Sequence, residues 1–166
     1  MAWSDPRTWS TSEVVTAAHM NQEVRDNLNA AFPDQEDGNT WSPTLEGVTS
    51  DASASATAGV EYTIGAIQFC WCRWVLSANG SGVFFVTLPS TASGITASTS
   101  GAAGQAIGSW TARDDSAPES QEGDVLLATA TTARFNIPSE GFVQNTLPWT
   151  WASGDILHFF AQYPIA

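Results

Sequence analysis

The sequence predicts a mainly β protein, an antiparallel β-sandwich or jelly-roll head preceded by an extended arm and one short α-helix. Three observations carry this. From Val60 to Ala166, short β-branched and aromatic runs alternate with clusters of glycine, serine, asparagine and proline, the punctuation of strands and turns. A helical spacing of apolar residues occurs only near the N-terminus. Finally, 166 residues that are 43% hydrophobic and 13% charged can bury a genuine core and are not composed like a disordered chain.

Residues 1–33 read as a docking arm and anchoring helix. Trp3, Pro6, Arg7 and Trp9 place two large aromatics in an extended stretch. The helix rests on Ala17, Met20, Val24, Leu28, Ala31 and Phe32, spaced by three and four, with Thr16 as N-cap and Pro33 at the end. A helix of about 16 residues is marginal alone in water, so its apolar stripe needs a partner. The anchor candidates are Trp3, Pro6, Arg7, Trp9, Val14, Ala17, Met20, Val24 and Leu28. Residues 34–59, acidic and then small, read as a linker.

Residues 60–166 read as the β head, with strands near 60–66, 67–77, 83–88, 106–112, 124–130, 133–137 and 155–163. Asn79, Gly80 and Gly82 supply the turn chemistry of a hairpin loop. In 67–77, one face carries Ile67, Phe69, Trp71, Arg73 and Val75, and the other Cys70, Cys72, Trp74 and Leu76 after Gln68. Both faces are apolar, and the runs at 83–88 and 156–161 repeat the pattern. A sandwich strand buries one face and wets the other, so the second face calls for cover from another subunit. The expected homo-oligomer interface is Cys70, Cys72, Trp74, Leu76, Phe84, Val86, His158 and Phe160. The alternative is that the long loops at 89–105 and 113–123 overhang an internal strand.

Charge narrows the partners. Seventeen acidic residues face five basic ones, all arginine, for a net charge of −12. Such a chain repels phosphate backbones and anionic lipid, which argues against nucleic-acid and membrane roles, and without lysine it has no Walker-type phosphate loop. No apolar run reaches the length of a membrane span and no signal peptide is evident, so synthesis in the cytoplasm is expected. Cys70 and Cys72 alone cannot make a disulfide framework, and further zinc ligands are confined to His19 and His158. Buried free thiols are expected.

No catalytic constellation emerges, and neither a metal nor a cofactor is expected. His158 lies inside an apolar strand, and neither histidine neighbours a Gly-x-Ser-x-Gly turn. Asp114, Asp115, Glu119, Glu122, Asp124 and Glu140 could supply a carboxylate pair, but they sit in turn-forming polar runs. Asp114, Asp115 and Asp124 do not match an EF-hand spacing. Tryptophans that stack on sugar rings offer another possibility, with Trp110, Trp149 and Trp151 as candidate glycan contacts.

The string Trp3-Ser4-Asp5-Pro6-Arg7-Thr8-Trp9, followed by Glu13-Val14-Val15-Thr16-Ala17-Ala18, Asn21 and Val24-Arg25-Asp26-Asn27, resembles the N-terminal segment of a group of tailed-phage structural proteins. Trp41-Ser42-Pro43-Thr44-Leu45-Glu46-Gly47 is similar to the entry of their β domain, and Trp151-Ala152-Ser153-Gly154-Asp155-Ile156-Leu157 with Tyr163 to their ends. The resemblance does not extend over residues 60–148. It implies a virion protein, a tail, fibre or head-decoration component anchored to other virion proteins by its N-terminal segment, with a projecting β domain that is commonly trimeric. The expected function is therefore a non-enzymatic structural subunit of the virion. The alternative is a receptor-binding module for a host-surface glycan.

Overall fold

A computed structural model of the chain describes residues 12, 14, 16–20, 39–95, 104–138 and 140–165. Within these the elements are α1 (Ala17–Met20), β1 (Asn39–Thr40), β2 (Leu45–Glu46), β3 (Ser53–Ile64), β4 (Ile67–Ala78), β5 (Phe85–Thr87), β6 (Ala106–Arg113), β7 (Ser120–Thr129), β8 (Thr132–Ile137), β9 (Gly141–Phe142) and β10 (Ile156–Pro164). All the described strands join one antiparallel sheet in the order β1-β3-β4-β10-β6-β7-β8-β5-β2, with β9 added to β8. The fold is mainly β as expected, an antiparallel sheet curled into a half-barrel. A bridge between Leu45 and Ala52 brings the last strand of that order back towards the start of β3.

The curl follows from strand periodicity. Alternate residues of β4 (Gln68, Cys70, Cys72, Trp74 and Leu76) point inward and are buried, as do Leu157, Phe159, Ala161 and Tyr163 of β10. They meet Trp110 of β6, Val125 and Leu127 of β7, and Phe135 of β8 in one core. Trp74 lies 5.9 Å from Phe159 in a stacked pair and 6.4 Å from Phe135 edge to face, so β4 and β8 touch across the interior. Each buried indole there has an acceptor: Trp74 Nε1 donates to the Pro43 carbonyl at 2.8 Å and Trp110 Nε1 to the Asn136 carbonyl at 2.9 Å. Gly123 makes room for the second of these bonds. A Cβ there would collide with the Asn136 carbonyl and sit 2.8 Å from Trp110 Nε1.

Several expectations shift. The small-residue run assigned to the linker belongs to β3, which begins at Ser53, while β1 and β2 also fall within 34–59. Residues 53–59 are held by the backbone ladder to β4, which demands no bulky side chain. β4, β5, β6, β8 and β10 lie where strands were expected, whereas β7 begins at Ser120 inside the stretch read as a loop and β9 was not expected. Of the N-terminal helix, α1 is the described part.

Part of the outer surface is covered by the chain itself. Leu126 and Ala128 point away from the core on β7 yet are buried, and Arg134 of β8 is buried with its guanidinium 3.8 Å from the Phe142 ring centre. Over β3, β4 and β10 the outer face stays open.

Candidate functional site

Six of the eight residues expected at a subunit interface lie in the chain's own core. Cys70, Cys72, Trp74, Leu76, Phe84 and Val86 are each 1% exposed or less, which removes them from any surface. The parity was misjudged for a physical reason. Gln68 shares their face, and its amide is satisfied in place. Its Nε2 donates to Glu61 Oε2 at 2.9 Å, and its Oε1 accepts from Thr63 Oγ1 at 2.9 Å and Ser90 Oγ at 3.0 Å. A bonded amide is far cheaper to bury than a guanidinium, so Arg73 on the opposite face was the sequence signal that could have set the parity. Both thiols are free, and burial pushes each up to about 12.

His158 and Phe160 do lie on the outer face, in company that was not assigned. Register places Val60, Trp71, Phe160, Ser109 and Asp124 in one row across β3, β4, β10, β6 and β7. The next row is Ala58, Arg73, His158, Thr111 and Glu122. Beyond the first row, the Tyr62 and Phe69 rings stack at 5.0 Å, 5° from parallel. Among the described residues six large apolar side chains are exposed, and four of them (Tyr62, Ile67, Trp71 and Phe160) share this face. Concentration on one face of a strand pair distinguishes a patch from scattered surface residues.

The patch surrounds an open cleft of about 270 Å³ lined by Trp71, Arg73, Ser109, Thr111, His158 and Phe160. His158 is held below the usual imidazole range, first by partial burial and then by Arg73 beside it. Near neutral pH the positive charge in the cleft is therefore mainly that of Arg73. Arg73 has no acidic partner among the described residues, although the chain is strongly acidic. Arg113, nearby on β6, lies 4.0 Å from Asp115 with both side chains exposed, a pair worth little.

The glycan candidates separate as well. Trp110 and Trp151 are core residues, 1% and 2% exposed, and Trp151 Nε1 donates to the carbonyls of Gln144 and Leu147. Trp149, the half-buried one of the three, borders a groove of about 380 Å³ with Glu119, Ser120, Gln121, Glu140 and Pro148. Its ring leans on Trp151 at 5.4 Å, and its Nε1 is buried without an acceptor.

The acidic loops have structural duties. Asp114 Oδ1 accepts from the Ser116 hydroxyl and from the amides of Ser116 and Ala117. Asp155, buried, accepts from the amides of Asp115 and Ala152. Among the described residues no three His, Cys, Asp or Glu side chains gather as a metal site. Of the anchor candidates, Val14 is 77% exposed and Ala17 is exposed at the start of α1, which Met20 ends. Trp3, Pro6, Arg7, Trp9, Val24 and Leu28 lie outside the described residues. No protein-family model, curated protein or solved structure matches the chain at a significant level.

Proposed function

We propose that this chain is a non-enzymatic structural subunit of a tailed-phage virion, a projecting fibre, spike or decoration component. Its β head associates with further copies through the outer face of β3, β4, β10 and β6, and its N-terminal segment attaches it to other virion proteins. The observation that carries the self-association is the gathering of Tyr62, Ile67, Trp71 and Phe160 on one open face. An apolar centre with aromatic anchors and a polar margin of Ser109, Thr111, Asp124 and Glu122 has the anatomy of a protein interface. Covering apolar surface stabilises by about 25 cal/mol per Å².

The virion location rests on the resemblance of residues 3–28 to phage structural proteins, which also favours three copies per assembly. Several copies held together would turn weak anchor contacts into lasting attachment. The engagement of Asp114 and Asp155 in loop hydrogen bonds supports a structural rather than catalytic use of the acidic loops. We also read the head as jelly-roll-like, because contact between Trp74 and Phe135 sets two limbs of the curled sheet face to face.

Sedimentation equilibrium of the full chain tests the self-association. The expected result is a multiple of the 17.6 kDa monomer for the wild type and the monomer for Trp71→Ser/Phe160→Ser. A monomeric wild type at high concentration would remove the proposal. Detection of the chain at fixed stoichiometry in purified particles tests the location.

A second reading, glycan recognition, is favoured by one observation, the groove beside Trp149. Loss of saccharide binding in Trp149→Ala would support it, and no binding by the wild type on a glycan array would dismiss it.

A further inference from the structure

The cleft around Arg73 holds a cation with no acidic partner among the described residues, between aromatic walls, in a chain of net charge −12. A half-buried guanidinium without a counter-charge is an unfinished arrangement, because a carboxylate brought to it forms short charge-assisted hydrogen bonds, often two at once. Ser109 and Thr111 add hydroxyl donors on the same wall. The cleft is therefore built for a carboxylate, and what remains is where that carboxylate comes from.

We infer that the Arg73 cleft is a socket for an acidic side chain of a neighbouring copy, supplied by Glu122 or Asp124 of that copy's β7. The inference rests on the self-association proposed above and adds its register and its charge chemistry. Glu122 and Asp124 are exposed and belong to the same two rows as Arg73 and Trp71. Within one chain they cannot reach Arg73, since β10 and β6 intervene and three strand spacings amount to about 14 Å. The face thus carries a cation on β4 and anions on β7, with Phe160 and Ser109 between them. Two such faces complement one another when β7 of one copy lies over β4 of the next, whether two copies close by a two-fold axis or three close a ring. The Trp71 and Phe160 rings would then cover the ion pair and limit its screening by water.

A charge exchange tests this on the full chain, with folding checked by circular dichroism and thermal melting. Arg73→Glu alone and Glu122→Arg/Asp124→Arg alone each place like charges together, and each is expected to weaken association at least about tenfold. Combined in one chain, the exchanges Arg73→Glu, Glu122→Arg and Asp124→Arg are expected to restore association, because every contact between copies then returns with reversed sign. The milder Arg73→Gln should weaken association and flatten its dependence on sodium chloride. If Arg73→Glu associates like the wild type, or if both variants fail and the combined variant, folded, fails too, the socket assignment is overturned. In either case Trp71→Ser/Phe160→Ser still reports separately on the face: dissociation of that variant alone would keep the interface and discard only the socket. A wild type that never associates overturns both.

Discussion

The two faces of β4 and β10 have nearly the same hydrophobicity and opposite fates. On the inner face Cys70, Cys72, Trp74, Leu157 and Phe159 are sealed by the other limb of the sheet. On the outer face Trp71 and Phe160, both 41% exposed, have no cover from the described chain. Alternation within a strand separates the faces, but hydrophobicity alone does not say which is core. That is decided by which polar residue each face must take with it. The inner face carries Gln68, whose amide can be satisfied locally, and the outer face carries Arg73, whose charge calls for water or a counter-ion.

The sharpest way to break this contrast is to truncate one tryptophan on each side. Trp74→Ala removes two ring contacts and leaves the Pro43 carbonyl without its donor, so urea unfolding should register a loss of about 3–5 kcal/mol. Trp71→Ser with Phe160→Ser should leave monomer stability within about 1 kcal/mol while weakening association by about a hundredfold, the effect of two interface anchors, as read in a sedimentation dilution series. Equal stability losses on the two sides would erase the distinction between the faces. Gly123→Ala should cost about 1–3 kcal/mol by forcing the Asn136 carbonyl and the Trp110 indole apart.

Two milder measurements sharpen the picture of the sealed side. Cys70 and Cys72, with thiols pushed up to about 12 by burial, should stay unreactive towards an aromatic disulfide reagent at pH 8 until the protein is unfolded. Rapid labelling of the native protein would mean that the inner face is open. Smallest is the acid response of Asp114, whose carboxyl is held below the ordinary range chiefly by the Ser116 hydroxyl and then by the Ala117 amide. A pKa lowered in the fold stabilises fully above the unfolded value of about 3.9 and is lost as pH falls through the folded value. Asp114→Asn should therefore flatten the acid limb of the stability curve and leave the neutral region parallel to the wild type.

Much of the architecture was legible in the sequence. The β class, most of the strands from β4 onward and the free thiols followed from period-2 runs, turn residues and cysteine count. The first half of β3 escaped notice because Ser53 to Gly59 are small, and a strand held by its backbone ladder leaves no signature in side chains. The outer patch was half legible. His158 and Phe160 were named, but Trp71, Tyr62 and Ile67 were not, because both faces of β4 are apolar and the Cys70, Cys72, Trp74 and Leu76 face was assigned to the interface. Trp110 and Trp151 read as sugar platforms because an indole that bonds a backbone carbonyl inside a core looks, in sequence, like one that faces solvent. Nothing in the residue order announced that β7 would lie three strands from Arg73 with its carboxylates on the same face.

On the proposed self-association, a second copy covers the outer face. Hydroxyl-radical footprinting of the full chain across a dilution series probes it directly, because Trp71 and Phe160 can each be followed as an individual site of modification. Protection of both at high concentration, released together with Tyr62 on dilution while Trp74 stays protected throughout, is the predicted result. Equal modification of Trp71 and Phe160 at every concentration, with an unchanging monomer mass, would contradict it.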